Sequence, residues 1–247
     1  MEHIFCQQYT VAPIHTDCFG LLKPATALHF AQEAAAGHCV ELGTDWDTLS
    51  KRNLFWAVIR HKVSITRLPR EGERITVETW PMPTTRVAYP RSVVALDEQG
   101  QELFRVISLW VLMDKNTRQM VLPDKSGVIV EGILRGDELS APKALAPKDL
   151  TESMQRQVRF TDLDKNGHMN NTRYLDWVAD LLTREFFRDK QLREVTLCYN
   201  QEALEGQQLQ LKWRLDENGV MLVDGLGANT DVSEGKSRVF SAQLVFE

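Results

Sequence analysis

The stretch "ATALHFAQEAAAGHCVELG", residues 25–43, reads as one long helix: Leu28, Ala31, Ala35 and Cys39 recur at helical spacing, and Gly43 stops it. Further along, "NNTRYLDWVADLLTREFF", residues 170–187, repeats the signal. It sets Tyr174, Trp177, Val178, Leu181, Leu182 and Phe186 on one face, with Asn170 or Asn171 as cap. The segments after each helix alternate like strand, as in "KVSITRL", "ERITVETW" and "LFRVISLWVLM", then "EVTLCYN", "QLQLKWRL" and "SRVFSAQLVF". Turns such as "PREGE", "DEQGQ" and "SEGK" separate these runs.

The two halves can be laid on each other. Thr16-Asp17 meets Thr161-Asp162 at a shift of 145, Thr26 meets Thr172 at 146, and Glu71-Gly72 meets Glu205-Gly206 at 134. The strands after Gly100 and Gly235 correspond at 135. Loop, long helix and antiparallel strands thus occur twice, the mark of a duplicated unit. Between them "PDKSGVIVEGILRGDELSAPKALAPKDLTES" carries Pro123, Pro142 and Pro147 and no clear period, as a linker does. The expectation is an α+β chain with a first domain at 1–135, a linker at 136–152 and a second domain at 153–247. In each, a long helix is wrapped by an antiparallel sheet, and the two sheets join edge to edge.

With 247 residues, 43% of them hydrophobic and 26% charged, the chain can bury a core. A net charge of −5 argues against nucleic acid as partner. The start "MEHIFCQQYTVAP" lacks a basic region followed by an apolar run, so no secretory signal is expected, and no apolar run is long enough for a membrane span. Cys6, Cys18, Cys39 and Cys198 form no C-x-x-C pair, which fits reduced thiols in a cytoplasmic protein.

Chemistry concentrates in "DLDKNGHMNN", residues 162–171. Its opening has the D-x-D-x-N-G spacing of a calcium-binding loop, but the twelfth position, which must supply a bidentate carboxylate, is Arg173. Asp164 and His168 alone are too few ligands for a transition metal. A tight turn capping the helix would use the same residue types. At the shifts above, however, Asp164, Asn166 and His168 face Phe19, Leu21 and Lys23, or Cys18, Gly20 and Leu22. A polar set present in one half only points to a site rather than scaffold.

These residues resemble the acyl-acyl carrier protein thioesterases: the "DLDKNGHMNNTRYLDW" segment is similar to the family signature. The segments "NLFWAVIRHKVSITRLPREGERITVETW" and "SLWVLMDKNTRQMVLP" are similar to its N-terminal strands. The resemblance covers nearly the whole chain and implies two tandem hotdog domains, the first shaping the acyl pocket. It implies hydrolysis of the thioester of fatty acyl-acyl carrier protein, ending chain elongation, with acyl carrier protein as partner and no cofactor. The family's catalytic Asp, Asn and His fall on Asp164, Asn166 and His168, and its Glu, in the next strand, falls on Glu202 of "LCYNQEAL". Some plant members carry a Cys after that Glu; this chain has Ala203, so no cysteine nucleophile is on offer there. The first-half counterpart of Glu202 is Leu68.

For thioester hydrolysis, Glu202 would take a proton from water, with His168 and Asn166 positioning it or donating to the carbonyl oxygen; His168 is the other candidate for the base. Asp164 would orient Asn166 or His168, or bond to backbone at the helix start, and backbone N–H groups of Met169 to Asn171 would face the oxyanion. His29, His38 and His61 stand beside no such cluster. Trp56, Trp80, Trp110, Trp177 and Trp213 are expected in the core or along an acyl tunnel. Lys51, Arg52, Lys62, Arg67, Arg70 and Arg173 could form a docking patch for an acidic carrier, or simply be solvated. The alternatives are an acyl-CoA thioesterase of the same fold and a non-catalytic module that binds acyl thioesters. A homodimer through an exposed sheet edge stays open.

Overall fold

The computed structural model describes residues 4–136, 138–227 and 238–247 and divides the chain into two compact units, Met1–Pro142 and Lys143–Glu247. The expected "SEGK" turn and Gly235 lie outside the described residues.

In the first unit, strand β1 (Phe5–Thr10) leads through a 3-10 turn at Pro13–His15 to helix α1 (Pro24–Glu41) and the short α2 (Trp46–Lys51). Strands β2 (Leu54–Ile65), β3 (Arg74–Pro81), β4 (Tyr89–Leu96), β5 (Glu102–Asp114) and β6 (Met120–Val121) come next, then the one-turn α3 (Pro123–Ser126). They pair antiparallel in the order β1-β3-β4-β5-β2, with β6 on β5. The second unit runs through β7 (Glu152–Gln157), a 3-10 turn at Phe160–Asp162, α4 (Arg173–Ala179) and α5 (Arg184–Asp189). It ends with β8 (Leu192–Tyr199), β9 (Gln208–Leu215), β10 (Val220–Gly227) and β11 (Arg238–Phe246). Its order, β7-β9-β10-β11-β8, is the same path strand for strand.

Helix α1 forms where the sequence predicts. Pro24 occupies its first turn, alanines carry its interior at no side-chain entropy cost, and Gly43, at φ 64, lies just past its end. It packs on β1 and β3 with Ala27, Leu28, Phe30, Ala31 and Ala34 all at most 4% exposed. The second helix is not the single rod expected over 170–187. It breaks after Ala179, because Thr183 adopts an extended backbone and its hydroxyl accepts from the Phe186 N–H (3.3 Å), capping a new helix. The apolar spacing continues across the break, so periodicity alone could not reveal it.

Under α1 the first unit buries polar groups. Arg91, 7% exposed, donates to His38 Nδ1 (3.0 Å) and Thr79 Oγ1 (3.2 Å). Since guanidinium has no acceptor, His38 carries its proton on Nε2. Burial holds the Arg91 pKa below its ordinary value. Across the sheet, Ser108 of β5 pairs with both Arg91 of β4 and His61 of β2, placing all three on one row.

Past α3 the described residues form no helix or strand until β7, yet the first part of this stretch lies against the first unit. The Ile133 N–H donates to Pro81 O (2.9 Å), Trp80 Nε1 to Glu138 (3.1 Å) and Arg60 to Pro142 O (3.2 Å). Trp80 and Trp177 are fully buried, at 2% and 0% exposed.

Candidate active site

Two loops of the second unit bring the predicted residues together. The first, between the 3-10 turn and α4, is closed by Asp164: its Oδ1 accepts from the Asn166 N–H (2.8 Å) and the His168 N–H (3.3 Å). Its own N–H donates to His168 O (2.8 Å), and Gly167 takes the left-handed φ of 76 that the turn requires. Asp164 Oδ2 holds the Asn166 side-chain amide (3.2 Å). The second loop carries Glu202, which lies beyond β8 rather than in a strand as expected. The Asn200 and Gln201 N–H groups both turn onto Val239 O, which ends the ladder one residue past Tyr199. The loops are joined by the Met169 N–H donating to Ala203 O (2.9 Å) and by an isolated bridge between His168 and Leu204.

Across this junction His168 Nε2 stands 3.4 Å from Glu202 Oε2, the imidazole 20% and the carboxylate 45% exposed. All four predicted residues are therefore brought onto one pair of loops, with the His168–Glu202 face open to solvent. Tyr174, read from the sequence only as a helix-face apolar group, is buried beneath them. Burial pushes its phenol up, and the charges of Glu202 and Asp164 push it further.

The expectation for backbone oxyanion donors does not hold at two of its three positions. The Met169 N–H is spent on Ala203 O and the Asn170 N–H on Asp162 O (2.8 Å). Asn170 also turns the chain into α4, its Oδ1 accepting from the Thr172 N–H and hydroxyl, both at 2.9 Å. The same loop also carries side-chain donors, the Asn166 amide and the His168 imidazole. Arg173 pairs with Asp176 (2.8 Å) and Asp162 (3.7 Å), and Arg67 with Glu73 and Asp97, so these two cations of the supposed docking set are neutralised locally. His29 does have a carboxylate beside it, Glu33 at 3.3 Å, one turn along the same helix.

The first unit corrects the register of the repeat. Asp17 Oδ1 accepts from the Phe19 N–H (2.8 Å) and Leu21 N–H (3.1 Å), the Asp17 N–H donates to Leu21 O, and Gly20 has φ 73. This is the Asp164 turn, 147 positions earlier rather than 145 or 146. The slip arises because Thr16-Asp17 and Thr161-Asp162 match as letters while Asp162 does the work of His15: each closes its 3-10 turn by accepting a backbone N–H, Ala12 on His15 and Arg159 on Asp162. In the true register Asp164 has a counterpart, Asp17, and its backbone turn is shared by both halves, while its contact to the Asn166 amide belongs to the second. Asn166 and His168 replace Phe19 and Leu21, and the Leu21–Arg70 bridge answers His168–Leu204, which keeps Leu68 opposite Glu202.

Among known sequences, the acyl-ACP thioesterase N-terminal domain matches residues 2–125 and the acyl-ACP thioesterase C-terminal domain matches 145–236. The chain belongs to the acyl-ACP thioesterase family. Family relatives include a chloroplastic palmitoyl-acyl carrier protein thioesterase of Gossypium hirsutum, 27% identical over 215 residues, covering 81% of this chain and 52% of the relative. A chloroplastic dodecanoyl-[acyl-carrier-protein] hydrolase of Cinnamomum camphora is 27% identical over 191 residues, covering 71% and 50%. The chain spans about half the length of the curated relatives it matches. Among solved structures, the 12:0-ACP thioesterase of Umbellularia californica superposes with a TM-score of 0.83 at 23% identity, covering 100% of this chain and 98% of that one. An acyl-ACP thioesterase of Bacteroides thetaiotaomicron does so at 0.83 and 22%, covering 99% and 98%. The fold of this family member is thus an α+β tandem hotdog.

Proposed function

We propose that the chain hydrolyses the thioester of fatty acyl-acyl carrier protein, releasing free fatty acid and ending elongation. The observation that carries this reading is the His168–Glu202 pair, 3.4 Å apart on an open face, beside an Asn166 amide already oriented by Asp164. In the mechanism the Glu202 carboxylate takes a proton from a water whose oxygen attacks the thioester carbonyl carbon. His168 fixes that water and the carboxylate relative to each other. The Asn166 amide donates to the oxygen on which negative charge develops, a contribution of roughly 10² to 10³-fold in other acyl-transfer sites. Collapse expels the thiolate, a good leaving group because thiol pKa values lie near 8.5, and the proton held by Glu202 passes to it. With Ala203 after Glu202, water is the nucleophile throughout. The four unbridged thiols support a reducing, cytoplasmic setting.

The test is free-thiol release from a panel of acyl chains, each offered on carrier protein and on coenzyme A. Turnover on the carrier series is expected. Activity confined to coenzyme A would keep the site and replace the partner, and tight binding without turnover would make the chain an acyl-thioester binder. The same assay separates scaffold from chemistry in the duplicated turn. Asp17→Ala and Asp164→Ala should each lower stability by about 1 kcal/mol, as loss of a side-chain cap does, but only Asp164→Ala frees Asn166 and lowers kcat. Equal kcat in both variants would show that the Asp164–Asn166 contact has no part in turnover.

A further inference from the structure

We propose that Tyr174 and Tyr199 are positioning residues that brace the His168 loop against the Glu202 loop and so set the distance between imidazole and carboxylate; the proposal rests on the thioesterase reading. Each tyrosine stands on one loop's flank and bonds to the other. Tyr199, the last residue of β8, leads into the Glu202 loop and donates its hydroxyl to Asn171 O, on the His168 side, at 3.0 Å. Tyr174, in the first turn of α4 just after the His168 loop, accepts from the N–H of Ala203, the neighbour of Glu202. The two rings meet edge to face at 5.4 Å and 70°. Ala203, 0% exposed, is therefore held from both sides, its N–H by Tyr174 and its carbonyl by the Met169 N–H.

Tyr174 cannot retreat from this contact. Phe240 packs edge-on against it at 4.8 Å, and behind Phe240 lies Gly225, where an added Cβ would sit 2.0 Å from the Phe240 ring. The first unit supplies the control. At the shift of 147 fixed by the shared turn, Ala27 stands in place of Tyr174; at the shift of 134 fixed by the matching bridges, Ile65, the last residue of β2, stands in place of Tyr199. Both are buried, at 0% and 5% exposed, and neither has a hydroxyl. The frame thus closes without the brace where Leu21 and Leu68 occupy the positions of His168 and Glu202, and carries it where the polar pair is present.

The experiment compares Tyr174→Phe, Tyr199→Phe and the double variant, which keep the rings and remove the hydroxyls. Each single change should lower kcat about ten-fold with KM within about two-fold, since small misplacements of reacting groups cost this much or more. In a Glu202→Gln background the same changes should have less than about a two-fold effect, because the group they position is gone. The His168 imidazole ¹⁵N signals of the tyrosine variants should move toward those of Glu202→Gln, a readout that needs no turnover. An unchanged kcat in the double variant, or a full ten-fold loss that persists in the Glu202→Gln background, would overturn the brace. If wild-type protein hydrolyses no acyl thioester while the imidazole signals still shift, the brace stands and the proposed reaction falls.

Discussion

Glu202→Gln is expected to lower kcat at least 100-fold on the acyl thioester the protein turns over best, with KM and melting temperature nearly unchanged. A positioned general base contributes roughly 10² to 10⁴-fold, and Gln keeps the shape while removing the basic oxygen. The carboxylate is 45% exposed and outside any strand, so its loss leaves no buried group unpaired. His168→Ala should cost a similar factor, and the double variant little more than either alone, because in the proposed mechanism the two groups act on one water and their effects do not multiply. The check is steady-state thiol release with thermal melts on the same samples. A Glu202→Gln enzyme within three-fold of wild type would remove this carboxylate from the chemistry, whatever its distance to His168.

Stability should fall steeply as the solution is acidified below pH 6.5, and His61 is the residue to blame. It is 1% exposed on β2, edge-on to Trp110, and burial lowers its pKa from 6.5 to about 3. Proton counting gives the sign. Above pH 6.5 the imidazole is neutral in both states and contributes no pH dependence. Between 6.5 and about 3 the unfolded chain binds a proton that the native state refuses, so each pH unit costs about 1.4 kcal/mol. From pH 6.5 to 5 that amounts to about 2 kcal/mol. Urea midpoints of wild type and His61→Leu at pH 7.5, 6.5, 5.5 and 5.0 should diverge in slope by this amount below 6.5. Parallel curves would mean that His61 takes up its proton in the folded state.

Much of this architecture is legible in the chain itself, for identifiable reasons. Helix α1 is written in Ala and ended by Gly43, and β9 coincides with its alternating run "QLQLKWRL". The site loop is conspicuous because Asp, Asn, Gly and His crowd where the first half has Phe and Leu. What misleads is anything decided by hydrogen bonds rather than by side-chain type. Matching letters aligned Asp17 with Asp162, whereas the backbone donors it accepts make it the partner of Asp164. The break before Thr183 hides inside an uninterrupted apolar period. The Met169 and Asn170 N–H groups look available at a helix start until the loops that claim them are seen. Glu202 sits outside its expected strand for the same reason: Val239 O takes two successive N–H groups and turns the chain away.

The shared Asp turn has one more implication, concerning where change is cheap. Because Asp17-x-x-Gly20 and Asp164-x-x-Gly167 hold the same path, the two units offer equivalent mounting points that differ in what is mounted. Phe19, Leu21 and Leu68 in one copy stand where Asn166, His168 and Glu202 stand in the other. Under the proposed function, reactivity is an attribute of side chains set on a duplicated backbone, with Tyr174 and Tyr199 present in the copy that carries them. Placing chemistry in one half therefore asks for new side chains and no new Asp turn.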